Sequence, residues 1–128
     1  GLGKIKDLTI AVLGLSFKPN TDDMREAPSV HIINKLIMEG AVIRAYDPAA
    51  MEKARERFRG IIYCKDPYEA VMDSDALVIV TEWNQFRNLD LTRIKQLMRQ
   101  PFFFDLRNIY DPEKMRGLGF RYFSIGRP

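Results

Sequence analysis

Apolar runs alternate with helical patterns along the whole chain, and that alternation limits the folds open to it. The runs are Leu8–Leu13, Ala41–Tyr46, Ile61–Cys64, Ala76–Val80, Phe102–Phe104 and Phe120–Ser124. Ala76–Val80 is apolar throughout, as expected of an inner parallel strand covered on both faces. Between the runs, Val30, Ile33, Leu36, Ile37 and Met38 recur at helical spacing, closed by Gly40 as a C′ residue. Met51, Ala54 and Phe58 line a second helix whose other face carries Glu52, Lys53, Glu56 and Arg57, and Leu91, Ile94, Leu97 and Met98 line a later one. Asp-Pro pairs at 47–48, 66–67 and 111–112 mark helix starts, because Asp accepts from the first free N–H groups and Pro suits the first helical position. Parallel strands need crossover connections, and helices that make them cover the sheet. The expected fold is α/β, a Rossmann-like three-layer domain with a mainly parallel sheet of about six strands, forming one domain over residues 1–128.

The chain is 46% hydrophobic and 29% charged, the balance of a globular protein with one sizeable core. Its net charge of +3 comes from Lys and Arg interleaved with acids, so no basic block argues for nucleic acid. No apolar run approaches the ~18–20 residues that span a bilayer, and the N-terminus lacks the apolar segment of a signal peptide. A single cysteine, Cys64, allows no internal disulfide and fits a reducing compartment, so the cytoplasm is the expected location. The chain starts at Gly1 without an initiator Met, and is expected to be a processed product or a piece of something longer.

The segment from Gly14 to Ser29 follows the first apolar run directly, which puts it at the carboxyl end of a central strand. Open α/β sheets bind ligands there. An ordinary βα turn takes ~2–6 residues, and this one is longer. It carries Lys18, a point charge suited to phosphate, and Arg25, which can grip one bidentately. Asp22 and Asp23 are expected to fold back on those cations or to cap the loop; the alternative is a solvated turn with ordinary ion pairs. Arg107 belongs to a second loop at the same edge, after Phe102–Phe104. If that strand neighbours the first ones, Lys18 and Arg107 converge on one diphosphate.

Other chemistries find less support. A dinucleotide site needs Gly-x-Gly-x-x-Gly after the first strand, and only Gly14 lies in place, with Ser16 and Pro19 where further glycines belong. No Walker loop occurs. With one His and one Cys, no metal is expected; His31 reads as a helix residue without chemistry and Cys64 as a small core residue. Asp47 could bind a ribose, but beside Pro48 it reads better as a helix cap.

Three motifs make the chain resemble a known family. They are the sixteen-residue stretch Gly-Leu-Ser-Phe-Lys-Pro-Asn-Thr-Asp-Asp-Met-Arg-Glu-Ala-Pro-Ser from Gly14, Thr81-Glu82-Trp83 with Phe86, and Asp105-Leu106-Arg107-Asn108. Together they resemble the C-terminal, UDP-binding domain of UDP-glucose 6-dehydrogenases, over essentially the whole chain. The resemblance implies that Phe17 contacts the substrate, that Lys18 and Arg107 hold its UDP-sugar, and that Arg25 reaches across the interdomain cleft toward the NAD phosphates. It implies an N-terminal domain that binds most of the NAD and a central region that joins the halves and makes the full enzyme a homo-oligomer. The reaction implied is a two-step, four-electron oxidation of a sugar C6 alcohol to a carboxylate by NAD, through a cysteine thiohemiacetal and thioester. The family's catalytic Cys-Phe-Pro-Lys-Asp stretch is absent, so no catalytic residue is assigned and Cys64 does not inherit the role. The fragment alone is expected to be inactive and monomeric, with an exposed face for the missing domains. Asp-Leu-Arg stands at 105–107 where the family has Asp-Gly-Arg, which raises the question of how Leu106 affects the aim of Arg107.

Two neighbouring readings share these residues: the same domain of a GDP-mannose or UDP-N-acetylmannosamine dehydrogenase, or a stand-alone nucleotide-sensing domain. A receiver-type signalling domain fits less well. Asp22-Asp23 lies well past the first strand, and no Lys directly follows the phenylalanine strand.

Overall fold

The structure, a computed structural model, describes residues 4–16, 18–25 and 27–125. Six strands, β1 (Thr9–Leu13), β2 (Val42–Tyr46), β3 (Ile62–Tyr63), β4 (Ala76–Ile79), β5 (Phe102–Asp105) and β6 (Arg121–Ser124), form one sheet in the order β3-β2-β1-β4-β5-β6. Every pairing is parallel, with Ile10 opposite both Ile43 and Ala76, and Ile79 opposite Asp105. The chain winds one way from β1 to β3 and the other way from β4 to β6. The strand order therefore reverses between β1 and β4, where a crevice opens at the carboxyl edge.

Helices α1 (Pro28–Met38) and α2 (Met51–Arg57) cover one face; α3 (Pro67–Val71), α4 (Asn84–Arg87), α5 (Leu91–Leu97) and α6 (Pro112–Gly117) cover the other. The period-two alternation of strand side chains sorts the core accordingly. Ile10, Val12, Ile43, Ala45 and Val78 pack with Ile33 and Ala54, while Ala11, Leu13, Leu77, Ile79 and Phe103 pack with Val71, Phe86, Ile94 and Met115. Phe103 is fully buried and meets Tyr110, Phe120 and Tyr122 at ring-centroid distances of 5.7, 5.3 and 5.8 Å. Losing such a ring typically costs about 3–5 kcal/mol.

The helix signals behave in two ways. Asp66 and Asp111 cap α3 and α6 through the N–H groups of Glu69 and Lys114, each followed by Pro, as the dipeptides predict. Gly40 (φ 91°) ends α1 in a Schellman turn, its N–H bonding Ile37 and that of Ala41 bonding Leu36. The Asp47-Pro48 pair departs from the expectation. Helix α2 starts later, with Ala50 as its N-cap residue and no side-chain cap. The reason is that the Asp47 carboxylate closes a turn onto the Ala49 and Ala50 N–H groups and spends its other oxygen elsewhere. The single-turn helix α4 has no periodic signal, because only Phe86 in it is buried. Among the described residues, no helix is long and apolar enough to cross a membrane.

Candidate functional site

Since all strands run parallel, the loops after β1, β2, β4 and β5 share the carboxyl rim. Gly14 begins the first of them at φ 98°, a conformation that favours glycine. A Cβ there would lie 2.5 Å from the Thr81 nitrogen, so the loops after β1 and β4 touch backbone to backbone.

The next four backbone groups are each held by a side chain. The N–H groups of Leu15 and Ser16 donate to Asp47 Oδ2 at 2.7 and 3.1 Å. Ser29 Oγ donates to the Leu15 carbonyl at 2.7 Å, and Thr81 Oγ1 to that of Ser16 at 2.8 Å. Ser16 Oγ then donates to the Lys18 carbonyl at 3.0 Å. The backbone of Leu15 and Ser16 and the Lys18 carbonyl are thus held by buried Ser16, Ser29, Asp47 and Thr81. An unpaired buried polar group is expensive, so these four hold the loop in one shape. Lys18 itself is exposed, and no ion pair to it occurs among the described residues.

A second buried carboxylate shapes the loop after β5. Asp105 Oδ1 accepts from Arg107 N, and Oδ2 from Ile109 N, Tyr110 N and the Tyr122 hydroxyl at 2.6 Å. Leu106 fits without strain: its φ is not positive, its N–H bonds the Ile79 carbonyl at 3.1 Å, and its side chain packs on the core. The left-handed position is Asn108 (φ 56°), whose amide exchanges hydrogen bonds with Ile125. Arg107 is partly exposed, and its Nε donates to Glu82, next to Thr81.

The sequence-derived residues therefore distribute as follows. Lys18 and Arg107 stand on one rim, with the loop after β4 between them: Thr81 binds the first loop and Glu82 the other. Strand β5 pairs with β4 and not with β1, so the two cation loops are two strand spacings apart, roughly 10 Å. Arg25 goes elsewhere. Its guanidinium grips Asp23 through Nε and Nη2 at 3.0 and 2.9 Å, and these hydrogen bonds hold the Asp23 carboxyl at about 2. Asp22 pairs with Lys53 of α2 at 3.3 Å, not with a loop cation as expected. Arg25, Asp22 and Lys53 line a polar groove of ≈ 380 Å³ between this loop and α2, which neither Lys18 nor Arg107 lines. Phe17 lies outside the described residues.

Sequence reasoning missed Asp47 and Asp105 as loop organisers. Their signal was present, an Asp at the end of a strand, but the partners lie up to 36 positions away. His31 is exposed on α1, and Cys64 is buried, with burial pushing its thiol up. Among the described residues, no group of three or more His, Cys, Asp or Glu could hold a metal ion.

Comparison with known proteins agrees with this architecture. The family model for the UDP binding domain of the UDP-glucose/GDP-mannose dehydrogenase family matches residues 11–112. A UDP-glucose 6-dehydrogenase of Rhizobium meliloti (strain 1021) is 52% identical over 126 residues, 98% of this chain and 29% of its own length. UDP-glucose 6-dehydrogenase TuaD of Bacillus subtilis (strain 168) is 43% identical, over 99% of this chain and 28% of its length. Among solved structures, a UDP-glucose dehydrogenase from Pyrobaculum islandicum superposes with a TM-score of 0.75 at 32% identity, over 95% of this chain and 26% of that one. An NDP-N-acetyl-D-galactosaminuronic acid dehydrogenase from Methanosarcina mazei Go1 reaches 0.84 at 27% identity, over 98% and 26%. The chain spans about 29% of the length of the curated relatives it matches. With its doubly wound parallel sheet and the match over residues 11–112, the chain belongs to the UDP-glucose/GDP-mannose dehydrogenase family, as its UDP binding domain.

Proposed function

We propose that residues 1–128 act as a single unit that holds the UDP part of a nucleotide sugar for an NAD-dependent UDP-glucose 6-dehydrogenase. The observation that carries this reading is the shared rim: Lys18 and Arg107 stand on loops joined through Thr81 and Glu82. Two long cationic side chains span two strand spacings to meet on one diphosphate, Lys18 as a point charge and Arg107 through its terminal nitrogens, while its Nε stays on Glu82. Phe17, next to Lys18, contacts the same substrate.

NAD, when bound, supplies the hydride acceptor. In this chain Arg25 fits one of its phosphates, by releasing Asp23, which already presents two oxygens to the same guanidinium edge. The thiol chemistry belongs to a part of the enzyme outside this sequence, since Cys64 is buried and its thiol is pushed up, opposite to an activated nucleophile. The fragment alone is inactive and monomeric, and the whole enzyme is a homo-oligomer of the cytoplasm.

UDP-glucose is favoured over GDP-mannose and UDP-N-acetylmannosamine because curated relatives at 52% and 45% identity are UDP-glucose enzymes. Solved enzymes named for the other two sugars are 23–28% identical. Calorimetric titration of the chain with UDP and NAD separately tests the proposal, with heat expected for UDP and none for NAD. Adding the missing N-terminal portion should then give UDP-glucose oxidation. No UDP heat, together with no activity on reconstitution, refutes it.

A further inference from the structure

Asp47 is the most heavily used side chain on the rim. It is 1% exposed, and both of its oxygens are engaged. Oδ1 accepts the Ala49 and Ala50 N–H groups at 2.8 Å each, which shapes the loop after β2. Oδ2 accepts the N–H groups of Leu15 and Ser16 from the loop after β1, and the Trp83 indole N–H at 3.2 Å from the loop after β4. Ser16 Oγ lies 3.3 Å from the same oxygen and donates to the Lys18 carbonyl at 3.0 Å. One carboxylate therefore joins three loops that leave three adjacent strands, and one hydroxyl carries its influence to the residue bearing the cation.

We infer that Asp47 is the positioning residue of the anion site: it sets the backbone beneath Lys18 and locks it to the loop that carries Glu82 and Trp83. The inference deepens the proposed function and rests on Lys18 as the diphosphate-binding cation. A helix cap alone would need one oxygen; the second oxygen, turned toward Leu15, Ser16 and Trp83, is what a positioning role requires. An amide cannot replace it. Asn has one acceptor and one NH2 group, and whichever way it is turned the NH2 faces backbone N–H donors.

Trp83 is the sole tryptophan, so its emission reports the clamp without any ligand. The control is Asp75, an equally buried carboxylate at the opposite edge of the sheet, bonded to Thr9 N, Arg99 and Gln100. The test compares D47N, S16A and D75N with the parent chain by UDP titration, tryptophan emission and thermal unfolding. D47N should weaken UDP binding at least about tenfold, matching K18A, and shift Trp83 emission to the red. D75N should lower the unfolding temperature yet leave UDP affinity within about twofold and emission unchanged. S16A keeps the carboxylate and should lose UDP affinity about threefold or more, which decides the matter should D47N not fold. UDP affinity in S16A equal to the parent's, or D47N with parental affinity and emission, overturns the inference. If the parent chain gives no UDP heat, affinities cannot be compared, and if reconstitution also gives no activity the proposed function falls. Emission then decides the clamp alone: a red shift in D47N but not D75N upholds it, and equal spectra refute it.

Discussion

Gly14→Ala tests how the rim is assembled. The substitution adds one methyl group at a residue whose φ of 98° suits glycine, which costs about 1–2 kcal/mol for an L-residue. The new Cβ would sit 2.5 Å from Thr81 N, 2.6 Å from Thr81 Cβ and 2.7 Å from Thr81 Oγ1. Two of those three atoms belong to the backbone or to the root of the side chain, so the loop after β4 must move, at an overpacking cost of about 1–3 kcal/mol. The total is about 2–5 kcal/mol. At about 4 °C per kcal/mol for a chain of this size, thermal unfolding followed by circular dichroism should fall by roughly 8–20 °C. Thr81→Ala removes only the Oγ1 contact and should not rescue the variant. A loss of less than about 1 kcal/mol, or full rescue by Thr81→Ala, would refute the claim that the two loops meet at backbone contact.

The other predictions concern titration and access. Arg25 hydrogen bonds hold Asp23 at about 2, below its ordinary 3.8. That contribution is present above the ordinary value and lost as pH falls toward 2, so NMR should find the low midpoint in the parent chain and a higher one in R25A, which loses the guanidinium bonds but keeps the residue 25 N–H on the carboxylate. Burial pushes Tyr110 up to about 12 from 10.0, which favours the neutral phenol. Its contribution to stability is complete below pH 10 and fades as pH rises toward 12, where tyrosinate absorbance should appear late and together with unfolding. Cys64, buried and with its thiol pushed up, should be alkylated by iodoacetamide roughly a hundredfold more slowly in the folded chain than in urea; equal rates would contradict its burial.

The fold was largely legible in the sequence because its signals are local. Six apolar runs, the helical spacing of Val30, Ile33 and Ile37, and two of the Asp-Pro pairs each act within a few residues. Lys18 and Arg107 could be picked out for the same reason, since each follows an apolar run closely enough to fall at its carboxyl end. What stayed hidden acts across the chain. Asp47 meets Leu15 at a separation of 32 residues, Thr81 meets Ser16 at 65, and Asp105 takes the Tyr122 hydroxyl from the last strand. No spacing rule covers such pairs, because they exist only once the sheet has set its strand order. The pairing of Asp22 with Lys53 was missed likewise: α2 had to be packed beside the loop before its lysine became the nearer cation.

Whether Lys18 and Arg107 grip a single diphosphate is decided by a double-mutant cycle on UDP binding. K18A and R107A should each weaken UDP by about 1.5–3 kcal/mol, roughly 10–150-fold, as expected for hydrogen bonds to a charged group. If both cations hold the same group, the double variant should depart from the sum of the single losses by more than about 0.5 kcal/mol. Single variants that keep UDP affinity within about twofold, or losses that add without coupling, would contradict the account.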